Sequence, residues 1–143
     1  MTRISRTALV PYSPDQMYAL VNDIPAYGEF LPWCRAARVL EEGDGYIVAS
    51  IDIAYSGLHQ SFTTRNTLEP GHKVHMRLLE GPFRHLEGEW QFHSLGEAGC
   101  KVTLELDFEF SSRLIGLTFG KMFNKIATTL IDAFVKRAQD VYG

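Results

Sequence analysis

The sequence predicts an α+β fold in which a curved antiparallel sheet of about six to seven strands grips one long C-terminal helix, with two short helices after the first strand. Three observations predict it. From residue 46 to residue 110, apolar and polar residues alternate with period two in successive segments broken by tight turns, the pattern of an antiparallel meander with one buried face. Residues 112–142 contain no proline, and their two glycines, Gly116 and Gly120, sit in the first turns, so nothing interrupts a helix of about 45 Å. A strong helix start, Ser13-Pro14-Asp15-Gln16, directly follows the first strand.

Residues 3–10 are rich in β-branched and small side chains and read as that first strand. Ser13 is then an N-cap, Pro14 occupies the first helical position and Gln16 completes a capping box. Met17, Leu20, Val21 and Ile24 form the helix's apolar side. Asp23 and Pro25 start a second short helix carrying Tyr27, Phe30 and Leu31, and Pro32 ends it. A strand at about 38–40 leads through the turn at 42–45 into Tyr46–Tyr55, where Ile47, Ala49, Ile51, Ile53 and Tyr55 share one parity. Ser56-Gly57 turns the chain into a strand at 58–68, and Pro70-Gly71 turns it again into 73–79. After Gly81-Pro82, Leu86, Gly88, Trp90 and Phe92 alternate with polar residues, and the turn at 96–99 opens the clearest strand, Cys100–Phe110.

At about 100° per residue, Ile115, Phe119, Met122, Phe123, Ile126, Leu130, Ala133, Phe134 and Val141 share one side of the last helix. Ala127, Ile131 and Ala138 widen that side, while Lys121, Lys125, Thr128, Asp132, Lys136 and Gln139 fill the other. A sheet of this length must coil, and the last helix alone is large enough to cover its concave face.

With 143 residues, residues 1–143 form one domain long enough to bury a core. The 45% hydrophobic and 22% charged content is that of a globular chain, not of a disordered or fibrous one. No apolar run approaches the roughly 20 residues of a membrane span. The N-terminus has charge but no apolar signal core, which argues against export and for a cytoplasmic protein. Cys34 and Cys100 lie far apart without CxxC spacing and read as reduced, structural thiols. The net charge of −3 argues weakly against a partner held mainly through nucleic-acid phosphates, although a local basic patch is compatible with it. The five histidines show no metal spacing, and neither a GxSxG elbow nor a GxxxxGK phosphate loop is present, so no metal site and no catalytic set is expected.

Six stretches resemble one family: Ser5-Arg6-Thr7, residues 11–22, Phe30-Leu31-Pro32-Trp33-Cys34, Phe62-Thr63-Thr64-Arg65-Asn66, Gly81-Pro82-Phe83 with Trp90, and Leu106-Asp107-Phe108-Glu109-Phe110. It is the coenzyme Q-binding protein and ribosome association toxin (RatA) family, of the START-like, helix-grip superfamily of polyketide cyclases and lipid carriers. The match runs in the family's order over nearly the whole chain. The resemblance implies a deep apolar cavity between sheet and helix, and ubiquinone as its bound ligand in support of respiratory electron transfer. The bacterial branch carries a toxin label, which implies a ribosomal subunit as partner and a block on subunit joining, and leaves open whether an antitoxin partner exists. The leading expectation is therefore non-enzymatic binding of ubiquinone or a similar prenylated lipid, in the cytoplasm or at the inner membrane's surface. The alternative is a ribosome-binding toxin or translation regulator. An enzyme of cyclase or hydrolase type, with an inward Tyr55, Arg65 or Asp52 as acid or base, rests on fold analogy alone.

Within the strand at 58–68, Gln60, Thr64 and Asn66 share the inner parity of Leu58, Phe62 and Leu68. Polar groups aimed into an apolar interior are costly unless bonded, so they either donate to a quinone head group or satisfy one another. Phe30, Leu31 and Trp33 form the lip through which a tail enters, a membrane-touching tip, or a plug sealing the core. Phe119, Phe123, Ile126 and Leu130 face the tail, with Trp90 opposite on the sheet. Lys73 and Arg77, with His75, face outward on one strand, and Arg84 and His85 open the next, a candidate ribosome-facing patch bordered by Glu87 and Glu89. Arg35 and Arg38 extend it. Arg137 interrupts the helix's apolar side and either finds a carboxylate on the sheet or reaches out to water. Leu114 and Leu117, off the apolar side, mark a mobile or partner-facing helix end. Gly116 and Gly120 either permit motion there or let the helix approach the sheet.

Overall fold

The computed structural model describes residues 1–55 and 57–143. Its order is β1 (Thr2–Val10), α1 (Pro14–Asn22), a 3-10 helix (Ile24–Glu29), β2 (Cys34–Gly43), β3 (Tyr46–Tyr55), β4 (Leu58–Glu69), β5 (Lys73–Glu80), β6 (Phe83–Ser94), a 3-10 turn (Gly96–Ala98), β7 (Cys100–Phe110) and α2 (Arg113–Tyr142). The seven strands form one curved antiparallel sheet in the order β1-β7-β6-β5-β4-β3-β2. Strands β2 to β7 are hairpin neighbours throughout, and β1 adds to the far edge beside β7, with Thr2 opposite Phe108 and Val10 opposite Cys100. The α+β class, the curved sheet and the covering C-terminal helix agree with expectation.

Helix α2 begins where Ser112 accepts a hydrogen bond from Ile115 N at 3.1 Å, and it buries Phe119, Phe123, Ile126, Ala127, Ile131, Phe134 and Ala138 against the sheet. The N-cap of α1 forms as expected: Gln16 N donates to Ser13 Oγ at 3.1 Å and Ser13 N donates to Gln16 Oε1 at 2.9 Å. The far end of α2 is tied to α1, where the Tyr142 hydroxyl donates to Gln16 O at 3.0 Å. At the near end the Phe110 ring stands beside Gly116 and Gly120, and Phe83, Phe108, Phe119 and Phe123 cluster around it. A Cβ at Gly116 or Gly120 would meet that ring at 3.6 Å or 3.4 Å, ordinary contact, so the approach of helix to sheet does not itself require glycine there.

Four expectations need correction. The strand expected at 38–40 runs from Cys34 to Gly43; bulges between Cys34 and Ala36 and between Val39 and Glu41 break its alternation and hide its length from the sequence pattern. The second short helix is a 3-10 segment whose preceding Asp23 makes no side-chain cap bond. Val141 is 48% exposed, because the last turn of α2 passes beyond the apolar contact. Arg137 neither reaches the sheet nor stands free in water: it donates to Glu29 Oε1 at 3.0 Å and lies over the Phe30 ring at 4.9 Å. Of the expected Ser56-Gly57 turn, Ser56 lies outside the described residues, and Gly57 has the positive φ of 81° that a tight hairpin requires.

Candidate functional site

Alternation along β3, β4 and β6 aims one set of side chains at α2, and a hole remains between them. Ala49 on β3, Gly88 on β6 and Ala127 on α2 are the shortest residues bordering it, and its volume is about 80 Å³. A Cβ at Gly88 would lie 2.4 Å from Leu106 Cδ2 and 3.0 Å from Met76 Cε, so glycine is what admits the packing behind it. Ile51, Ile53, Phe62, Met76, Leu86, Trp90, Leu106, Phe123, Ile126, Leu130 and Phe134 supply most of the apolar wall, with Ile24, Tyr27 and Trp33 from the segment before β2.

Two polar side chains enter this wall, Thr64 and Asn66, which are 5% and 7% exposed. Two residues apart on one strand, they point the same way, and the Thr64 hydroxyl donates to Asn66 Oδ1 at 2.8 Å. That bond uses the hydroxyl's proton and the amide's oxygen, so the donors that remain for a ligand are the two Asn66 amide protons. Tyr27 turns its hydroxyl away and donates to Val21 O. Burial, seconded by Cys34 and Asp23, pushes the Tyr27 phenol far above its ordinary range, so it stays neutral. Burial likewise raises the thiols of Cys34 and Cys100, which are unpaired and interior.

The structure brings Trp33, Phe62, Thr64, Asn66, Trp90, Phe123, Ile126 and Leu130 together around the cavity. It does not bring Gln60, Phe30, Leu31 or Phe119 there. Gln60 sits opposite Ile53 near the hairpin end of β4, outside the lining. Leu31, only 1% exposed, is an interior plug rather than a lip or a membrane tip. Phe30 packs edge-on against Tyr27 and Phe134, and Phe119 is walled off by Phe83, Phe110 and Phe123. Tyr27, Met76, Leu86, Gly88, Leu106, Ala127 and Phe134 line the cavity without having been singled out as site residues. Their inward parity was legible, but which inward residues border a void depends on side-chain volumes summed across strands.

The outward-facing cations do not form the continuous patch expected of them. Across the β5–β6 ladder, Arg77 stands opposite Glu87, His75 opposite Glu89 and Lys73 opposite Gln91, so carboxylates rather than Arg84 and His85 face β5. Lys73 lies 3.5 Å from Glu69 and 3.6 Å from Glu89, His75 3.1 Å from Glu87, and Arg84 3.9 Å from Glu109 across β7. Arg38 is 3.8 Å from Asp52. What the face does hold is Arg65 directly opposite Arg77 on β4 and β5, above a hollow lined also by Thr67, His75 and Glu87. Arg65 stacks on Tyr46 at 4.0 Å, and neither arginine enters an ion pair among the described residues. Arg65 and Asp52 therefore face outward, and Tyr55 is half-exposed at the hairpin end, so none of the three reaches the cavity as an acid or base.

A curved sheet gripping a long helix is a form shared with known proteins. Residues 10–135 match the family described as polyketide cyclase / dehydrase and lipid transport. The chain belongs to that family. Along its whole length it is 49% identical, over 143 residues and 99% of the other chain, to the ribosome association toxin RatA of Vibrio cholerae. A more distant relative, a mitochondrial coenzyme Q-binding protein homologue of Xenopus laevis, is 31% identical over 97% of this chain and 59% of that one. Among solved structures, a START superfamily protein from Mycobacterium smegmatis superposes with a TM-score of 0.81 at 19% identity, covering 97% of this chain and 98% of that one, a likeness of fold. No helix among the described residues is long and apolar enough to cross a membrane.

Proposed function

We propose that this member of the polyketide cyclase / dehydrase and lipid transport family associates with the ribosome and works by binding rather than by catalysis. The observation that carries the reading is the end-to-end likeness to a protein named as a ribosome association toxin. The cavity supports the non-catalytic half. Its polar lining consists of a hydroxyl and an amide bonded to each other and a phenol held neutral, with no imidazole, carboxylate, amine or thiol among the described lining residues. The Arg65–Arg77 pair supports the binding half. Like charges directly opposite on neighbouring strands repel, and a bridging phosphate of an RNA backbone turns that cost into attraction.

The test is sedimentation of the protein with purified ribosomal subunits across a salt series, together with subunit joining followed by light scattering. Binding is expected to fall steeply with salt, and Arg65→Gln with Arg77→Gln to flatten the slope by about two, one per phosphate contact. Absence of the protein from subunit fractions even at low salt would sink the reading.

A second reading, binding of ubiquinone or a similar prenylated lipid, is favoured by the apolar wall, by the Asn66 amide protons and by the coenzyme Q-binding relative. The space is its difficulty. A cavity of about 80 Å³ is small beside the 300–1,000 Å³ or so of ordinary ligand pockets, so it takes part of a head group and leaves a tail outside unless α2 moves. Mass spectrometry of an organic extract of native protein decides it: a quinone near one per chain, lost from Phe123→Asp, is the expected outcome, and an empty extract refutes it.

A further inference from the structure

Away from the sheet, the first half of α2 has a surface unlike the rest of the molecule. Between residues 113 and 131 it carries Arg113, Lys121 and Lys125 and not one carboxylate; the first is Asp132. Six cations elsewhere, Arg3, Arg38, Lys73, Arg84, Lys136 and Arg137, each have an acidic partner within 4.0 Å. Arg113, Lys121 and Lys125 have none among the described residues.

Between these cations stand two leucines in water, Leu114 at 69% exposure and Leu117 at 75%. At about 100° per residue, Arg113, Leu117, Lys121, Leu114 and Lys125 fall within an arc of about 120°. The opposite side of the same turns is held by the buried Phe119 and Phe123, packed against Phe83, Phe108 and Phe110, so the leucines cannot roll inward without breaking those contacts. A partner for this face must offer negative charge to three cations and an apolar medium to two leucines. Nucleic acid answers only the first demand, and an apolar protein groove only the second. A bilayer rich in anionic lipid answers both, with headgroup phosphates beside the cations and the acyl boundary beneath the leucines.

We propose that the outer face of the first four turns of α2 docks on an anionic lipid surface, with Leu114 and Leu117 inserted and Arg113, Lys121 and Lys125 at headgroup level. The inference is independent of the ribosome reading and uses none of the residues assigned to it.

The experiment is flotation of the full chain with vesicles of phosphatidylcholine alone and with vesicles in which a third of the lipid is phosphatidylglycerol. The protein should float with the second kind only, and less as salt is raised. Lys121→Gln with Lys125→Gln should lower partitioning about 25-fold, at about fivefold per lysine. Leu114→Ser with Leu117→Ser should lower it at least about tenfold. Lys136→Gln, further along the helix and paired with Asp140, should float as the parent does. Circular dichroism verifies that each variant folds, and in Leu117→Trp the indole emission should shift to the blue on the phosphatidylglycerol vesicles. Failure of the parent to float, equal flotation with both vesicle kinds, an unshifted indole, or a leucine variant that floats undiminished each overturns the proposal, the last marking a purely electrostatic face such as one for RNA. No ribosome is present, so such a failure leaves the ribosome reading untouched.

Discussion

Replacing Thr64 by valine removes one hydrogen-bond donor and almost no volume, at a place where the consequence can be worked out. The hydroxyl donates at 2.8 Å to Asn66 Oδ1, and both side chains are over nine-tenths buried in an apolar wall. Without it the amide oxygen faces hydrocarbon, and an acceptor stranded in that way costs about 1–3 kcal/mol. For a chain of this size that corresponds to a fall in Tm of about 3–9 °C. Replacing both residues, Thr64→Val with Asn66→Leu, removes the donor and the acceptor together and should come close to the parent's stability. The two substitutions should therefore be coupled by about 1–2 kcal/mol. Urea unfolding followed by the fluorescence of Trp90, which lines the same cavity, measures all four corners of the cycle. Additivity within about 0.5 kcal/mol, or a Thr64→Val variant as stable as the parent, would refute the reasoning. The cavity would then hold a water that satisfies Asn66, which its volume of about 80 Å³ has room for.

Two further predictions concern the join between the first and last strands. Gly99 has φ of 123°, and a Cβ there would stand 1.9 Å from the carbonyl oxygen of Val10, so Gly99→Ala should cost about 3 kcal/mol; an unchanged Tm would refute it. Arg3 donates to Asp107 at 2.8 Å and 3.2 Å, and this hydrogen bonding holds the carboxyl below the usual carboxylate range. With the folded pKa lowered, the contribution to stability is present above the unfolded carboxylate's pKa and is lost as pH falls through the folded value. An NMR titration should find the Asp107 midpoint low in the parent and back in the ordinary range in Arg3→Gln, and an ordinary midpoint in the parent would contradict the pairing.

Much of this architecture was legible because its determinants are local. The bounds of Cys100–Phe110 could be read from strict alternation, α1 from its capping box and proline, and α2 from an uninterrupted apolar side opening just after Ser112. Strand β2 was mostly missed because two bulges erase the period that reveals a strand. The inward parity of Thr64 and Asn66 was legible too, yet the sequence left open whether they satisfy each other or a ligand. The 2.8 Å bond shows that they do the first with one donor and one acceptor, while the Asn66 protons remain for the second.

What the sequence by itself determined is the succession of elements and the face each residue presents, because period, caps and turn residues act over a few positions. Tertiary structure alone decided which inward residues border a void and which outward cations meet carboxylates. The void is bordered by residues brought together from distant elements, Ala49, Gly88 and Ala127 among them, since free volume is a sum over facing side chains. The fate of the cations follows from ladder register, which sets Glu87 and Glu89 opposite Arg77 and His75 and sets Arg65 opposite Arg77. A slip of one residue would have turned every one of those side chains to the other face.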